Sequence, residues 1–176
     1  TQTDLVFPSF LFLMGLSMAL SLTRRQHAGL SPAKLNRRIL QRSLILFALG
    51  LLTNILYSQP AFQWSGFRIM GVLQRIAILY AVSGCLFLHL PRKALYWTAG
   101  GIAVFYTMAM NLLPVPGFGP PDLNLYPDGI ASNLAAWIDM KVLGSHGFAW
   151  SRPWDPEGLL STVPALITVF IGMLTG

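Results

Sequence analysis

The feature that most restricts this chain is a series of apolar runs, each about as long as a lipid bilayer is thick. They lie at Leu5–Leu22, Ile39–Tyr57, Ile69–Leu90, Ala94–Leu113 and Leu159–Gly176. A helix needs about 20 such residues to cross the hydrocarbon core. Backbone in lipid must satisfy its own hydrogen bonds, and these runs lack the alternation of barrel strands, so helix is the economical reading. The expected fold is all-α: a polytopic transmembrane helix bundle with about five spanning helices, forming one domain over residues 1–176. Composition agrees, with 54% hydrophobic and only 10% charged residues, where a soluble domain carries about 25% charged. A disordered chain is excluded on the same ground.

Charge placement orients the bundle. Between the first two runs and at the start of the second stand Arg24, Arg25, Lys34, Arg37, Arg38 and Arg42, and between the third and fourth Arg92 and Lys93, without a single acid. Loops rich in Lys and Arg stay in the cytoplasm. Every acid, namely Asp4, Asp122, Asp128, Asp139, Asp155 and Glu157, falls on the opposite side. The chain is therefore expected to start outside, cross five times and stop inside. The same bias accounts for the net charge of +6, so no nucleic-acid partner is expected. Cys85 is the only cysteine, which excludes an intrachain disulfide. The chain opens on Thr1 and closes on Gly176 inside an apolar run; it reads as a fragment of a longer protein, with no cleavable signal peptide.

Residues 114–158 form a connection too long to be a simple link, expected to be an outer, periplasmic loop. Its start, Pro114 to Pro121, resists regular structure because proline fixes dihedrals and removes donors. Ser132 or Asn133 then caps a short helix running to Leu143 and stopped by Gly144, with Leu134, Trp137, Ile138 and Val142 on its apolar side. In the first run Gly15 and Ala19, and in the last Gly172 and Gly176, have the spacing that lets helices approach closely.

Arg75 lies inside the third run, and an intramembrane arginine must face protein or water and find partners. With Arg68 and Gly71 it is spaced to share one helical face, the glycine leaving room between two guanidinium groups. Two readings stay open: an ion pair with Asp4, Asp155 or Glu157, or a clamp for a phosphate, carboxylate or developing oxyanion. In Asp155-Pro-Glu-Gly158, aspartate at the N-cap, proline at the first helical position and glutamate in the first turn suit the start of the last helix. Glu157 could also act as a general base beside His146, which stands in Gly144-Ser-His-Gly147 near Phe148, Trp150 and Trp154. The candidate catalytic residues are thus Glu157, His146 and Asp155, and the candidate substrate-binding residues Asp4, Arg68, Gln74 and Arg75. His27 and His89 read as solvated or interfacial, and the three histidines have no ligand spacing, so no metal is expected.

Several stretches together resemble a known family. Asp4-Leu-Val-Phe-Pro8 running into Phe10-Leu-Phe-Leu-Met-Gly15, then Arg68-Ile-Met-Gly-Val-Leu-Gln-Arg-Ile-Ala77, Asn133 through Asp139, His146, and Asp155-Pro-Glu-Gly-Leu-Leu-Ser-Thr162 are similar, in order, to the heparan-alpha-glucosaminide N-acetyltransferase family in a bacterial form. The resemblance implies a polytopic membrane enzyme that takes acetyl from cytoplasmic acetyl-CoA, its co-substrate, and delivers it to a hexosamine amine on the far side. It implies an amino-sugar or oligosaccharide acceptor, a bilayer setting in a bacterial cytoplasmic (inner) membrane, and a homodimer among the expected assemblies. The histidine to which the family's acetyl transfer is attributed precedes the Asp4 block, so no residue of this chain inherits that role, and the chain alone is expected to be inactive. The basic residues Arg24, Arg25, Arg37, Arg38 and Arg42 could attract CoA phosphates, although the positive-inside bias explains them first. The competing readings are a sugar or organic-anion transporter lined by Gln74, Arg75 and the outer acids, and an accessory subunit whose polar residues only join helices.

Overall fold

The computed structural model describes residues 5–57, 67–117, 119–121, 133–147 and 155–176. Its elements are six α-helices: α1 Val6–His27, α2 Pro32–Tyr57, α3 Val72–His89, α4 Arg92–Leu112, α5 Leu134–Leu143 and α6 Leu159–Thr175, with a 3-10 turn at Gly144–His146 after α5. Among the described residues there is no named strand, only an isolated bridge between Val115 and Gly119. The fold is all-α as expected. Among the described residues α1, α2 and α3 are both long and apolar enough to cross a membrane. α6 is apolar but spans 17 residues, and α4, with polar residues along its 21, is not among the three.

Local chemistry explains where the helices run past their apolar runs. α1 continues to His27, and its end is a Schellman turn: the Gly29 amide bonds the Gln26 carbonyl at 2.9 Å and the Leu30 amide the Arg25 carbonyl at 3.2 Å. That geometry needs Gly29 at φ 79°, a conformation side chains disfavour. α2 starts seven residues before its apolar run because Pro32 occupies the first helical position after Ser31, whose carbonyl receives the Leu35 amide at 3.2 Å. α3, by contrast, begins only at Val72, leaving 67–71 non-helical. The shared helical face expected for Arg68, Gly71 and Arg75 therefore does not form, since Arg68 precedes the helix.

The chain divides into two compact units, Thr1–Phe47 with Ile76–Ala103 and Pro164–Gly176, and Ala48–Arg75 with Val104–Val163. The first holds an apolar core of Leu11, Met18, Leu79, Leu95, Val169 and Phe170 and their neighbours. Its tightest contact is the one the small-residue spacing led us to expect. A Cβ on Gly15 would run into the Val169 carbonyl, and one on Gly172 into the Phe12 carbonyl, while Gly176 lies against Ala19. α1 and α6 thus touch backbone to backbone through reciprocal glycines. In the second unit α5 is capped by Asn133, whose side chain accepts the Ala136 amide at 2.9 Å, and ends at Gly144 with φ 51°, as the sequence indicated for Asn133; Ser132 lies outside the described residues. The buried face of α5 differs from the expected one: it carries Ala136, Asp139 and Leu143, whereas Val142 is exposed.

Replacing Gly15 or Gly172 by valine should lower stability by about 1–3 kcal/mol or more, since backbone cannot move aside as a side chain can. Gly100→Ala, where a methyl meets open space, should change it by no more than about 1 kcal/mol, in the stabilising direction. Thermal unfolding of the detergent-solubilised protein measures both; equal effects would refute the close α1–α6 contact.

Candidate functional site

The second unit gathers most of the ionisable residues singled out above. Non-helical residues 67–71 present Arg68 to the turn that precedes α6. Arg68 Nε donates to Asp155 Oδ2 at 3.0 Å, and its Nη2 bonds both Asp155 Oδ1 and Glu157 Oε2. The Asp155 side chain is fully buried, while those of Arg68 and Glu157 are each 21% exposed. A carboxylate that deep is tolerated only when paired and hydrogen-bonded. Asp155 meets that condition with the Arg68 fork and with the Glu157 amide, which donates to Oδ1 at 2.9 Å. Arg68 is held in turn by Asn54, whose side-chain amide donates to its carbonyl at 2.9 Å. Burial alone would lower the Arg68 pKa, but hydrogen bonds to Asp155 and Glu157 carry it above its ordinary value.

Asp155 does not cap α6. It closes a turn over Pro156 and Glu157, with the Gly158 amide on its carbonyl at 2.9 Å, and the helix starts only at Leu159. Pro156 and Glu157 consequently precede the first helical turn instead of forming it. The residue that does serve the helix start is Asp139 from α5, which accepts the Leu159 amide at 2.9 Å. Asp139 is 4% exposed, and a Cβ at Gly158 would overlap its carboxylate. Asp139 is not among the candidate site residues read from the sequence. Its spacing from Ala136 and Leu143, on one helical face, was the available signal. Burial pushes its carboxyl above the ordinary carboxylate range, opposed by the Leu159 and Asp155 amides and reinforced by the Asp155 charge.

Arg75 donates from Nη2 to the Ser161 carbonyl at 2.7 Å and from Nη1 to the Pro156 carbonyl at 3.3 Å. Those carbonyls stand on either side of Glu157 in the chain, and its carboxylate charge also acts on Arg75. The ion pair with Asp155 that one reading gave to Arg75 belongs to Arg68 instead. Gly71 makes room for Gln74 and Asn54, whose side chains a Cβ would meet at 3.0 and 3.3 Å, and not for a pair of guanidinium groups. Gln74 is 1% exposed, pressed also against Gly50, and its Nε2 has no hydrogen-bond partner among the described residues.

His146 is anchored to the same non-helical segment. Its Nδ1 lies 3.0 Å from the Phe67 carbonyl, its own carbonyl accepts the Ile69 amide at 3.0 Å, and its ring meets that of Phe67 edge-on at 5.2 Å. A carbonyl can only accept, so in the neutral ring Nδ1 carries the proton and Nε2 keeps a lone pair. No hydrogen bond or ion pair joins His146 to Glu157 among the described residues: His146 is bonded to the Phe67 carbonyl and the Ile69 amide, and Glu157 to Arg68 between them. Asp4, Phe148, Trp150 and Trp154 lie outside the described residues. Among the described residues no cluster of His, Cys, Asp and Glu could hold a metal ion.

Removing Arg68 strands a buried carboxylate, so Arg68→Leu should cost about 3–5 kcal/mol, whereas Glu157→Gln, at a part-exposed position, should cost about 1 kcal/mol or less; chemical denaturation in detergent separates them. For Asp139 the folded pKa lies above the unfolded one. Its contribution to stability is therefore fully present below the unfolded value and is lost as pH rises through the folded value. The difference between the pH profiles of wild type and Asp139→Asn should show that decline, and a flat difference would contradict the burial.

A family model described as heparan-alpha-glucosaminide N-acetyltransferase, catalytic, matches residues 1–145. The chain is 31% identical to the heparan-alpha-glucosaminide N-acetyltransferase of Mus musculus over 220 aligned positions that take in 100% of this chain and 33% of that protein. It is 30% identical to the Homo sapiens protein of the same name, over 100% of this chain and 32% of that protein. The chain thus spans about a third of the length of these curated relatives. With most of its residues matched by the family model and all of them aligned to both relatives, the chain belongs to the heparan-alpha-glucosaminide N-acetyltransferase catalytic family.

Proposed function

We propose that the chain forms part of a membrane acetyltransferase that takes acetyl from cytoplasmic acetyl-CoA and passes it to the amine of an amino sugar on the outer side. The observation that carries this reading is the likeness, along the whole chain, to two proteins named as N-acetyltransferases of a glucosaminide. The comparisons favour it over the sugar or organic-anion transporter. In this reading α4 and α6 complete a five-span path across a bacterial inner membrane, and residues 114–158 lie outside.

The chemistry asks for two kinds of group. As the amine nitrogen bonds to the thioester carbonyl carbon, it must lose a proton, and the oxygen that gains charge needs donors in a water-poor setting. His146 Nε2 and the part-exposed Glu157 are bases of the right type, and the chain offers donors in Arg75 and in the buried Gln74 amide. Asp155 acts through Arg68, which it holds in place. The proton passes to the base while the thiolate of CoA leaves. The acetyl-handling histidine that the resemblance places before Asp4 is matched by no residue here.

Labelled acetyl-CoA supplied to the cytoplasmic side of vesicles carrying the complete protein should label an amino sugar on the other side. No transfer in vesicles of verified orientation would refute the reading. In that assay Arg75→Leu should lower transfer by about 100-fold or more while a folded protein remains, the size typical of losing an oxyanion donor; a misfolded variant would instead mark Arg75 as structural. With Cys85 replaced, single cysteines at Ser31 and Ser132 should label from opposite faces, Ser31 from the cytoplasm.

A further inference from the structure

A basic groove in the first unit takes no part in the proton transfer and oxyanion stabilisation proposed above, although its arginines are among those that could attract CoA phosphates. It is a cavity of about 300 Å³ between α1 and α2, lined also by Tyr80 of α3. Met14, Ser17, Met18, Ser21, Leu22 and Arg25 line it from α1, at the three- and four-residue spacing of a single helical face. Leu35, Arg38, Ile39 and Arg42 line it from α2 at the same spacing. Of Arg24, Arg25, Lys34, Arg37, Arg38 and Arg42, the fold brings Arg25, Arg38 and Arg42 to this groove, the last two exposed, while Arg24, Lys34 and Arg37 are exposed outside it.

Two properties restrict what could occupy it. The first is charge: neither α1 nor α2 contains an acid, and among the described residues Arg25, Arg38 and Arg42 make no ion pair. Three clustered guanidinium groups with serine and tyrosine hydroxyls suit a phosphate, which arginine binds through paired N–H donors. The second is the apolar floor of Met18, Leu22, Leu35 and Ile39, all buried. Around the groove, on the same two helices, Leu13, Leu20, Leu40 and Leu44 are 49–68% exposed. Both helices are long and apolar enough to cross a membrane, so those leucines are suited to face acyl chains. The occupant must be anionic at one end and apolar at the other, and reachable from the bilayer.

We propose that this groove binds the phosphate headgroup and adjoining chain of an anionic phospholipid, with Arg25, Arg38 and Arg42 on the phosphate and the Met18–Leu22–Leu35–Ile39 floor under the chain. By the positive-inside bias the lipid belongs to the cytoplasmic leaflet, where basic pockets between spanning helices bind such headgroups. The assignment stands independently of the acetyl-transfer reading, because it concerns other residues and a different readout.

The test uses the complete protein in nanodiscs of phosphatidylcholine alone or with phosphatidylglycerol, and detergent micelles titrated with each lipid, read by native mass spectrometry for retained lipid and by thermal unfolding. Phosphatidylglycerol should be retained and raise the unfolding temperature, and phosphatidylcholine should not. R38Q/R42Q should weaken phosphatidylglycerol retention by roughly tenfold. R92Q/K93Q, which removes equal charge from the start of α4, should leave it unchanged. Equal response to the two lipids, or equal loss in both double variants, would overturn the proposal. So would displacement of phosphatidylglycerol by free CoA, which would give the groove to a soluble phosphate ester instead.

Discussion

A carboxylate cannot be buried without a partner, and the second unit is arranged around meeting that requirement for Asp155. Its side chain is withdrawn from solvent entirely, so the Arg68 fork must reach it. Residues 67–71 stay out of the helix that follows, and that non-helical backbone brings Arg68 to the turn before α6, while Asn54 secures its carbonyl and His146 its neighbours on either side. The same turn aligns the Pro156 carbonyl toward Arg75. A chain of mutually dependent polar contacts results, in which each group is a partner another needs.

Glycine marks the places where the backbone itself is the packing surface. Gly15 and Gly172 let α1 and α6 meet without side chains between them, and Gly158 leaves space for the Asp139 carboxylate that bonds the first α6 amide. These contacts cost nothing in side-chain entropy and tolerate no added methyl. In helices whose apolar surfaces are equally content in lipid, close van der Waals approach and internal polar bonds are what distinguish one arrangement from another.

The basic residues fall into two physical classes that composition alone does not separate. Arg68 and Arg75 are committed to carboxylates and carbonyls of their own chain. Arg25, Arg38 and Arg42 stand on helices without acids and converge on a groove with an apolar floor.

The sequence by itself determined the all-helical architecture, because long apolar runs leave no other economical backbone. It determined the α5 helix between Asn133 and Gly144 and the capacity of the first and last helices for close approach, because caps and small-residue spacing are local signals; that the two meet each other was decided by the fold. It pointed to Arg68, Arg75, Asp155 and Glu157 as residues needing partners, since charges amid apolar runs must be compensated. What the sequence could not decide was which charge meets which. Arg68 precedes α3 and takes both acids, and Arg75 turns to carbonyls. Asp139 serves the start of α6 in place of Asp155, and Gly71 gives its space to Gln74 and Asn54. Pairings between residues some 80 positions apart are set by where helices begin and how they pack, and a helix start displaced by three residues turns a side chain to another face. That register was a property of the tertiary structure alone.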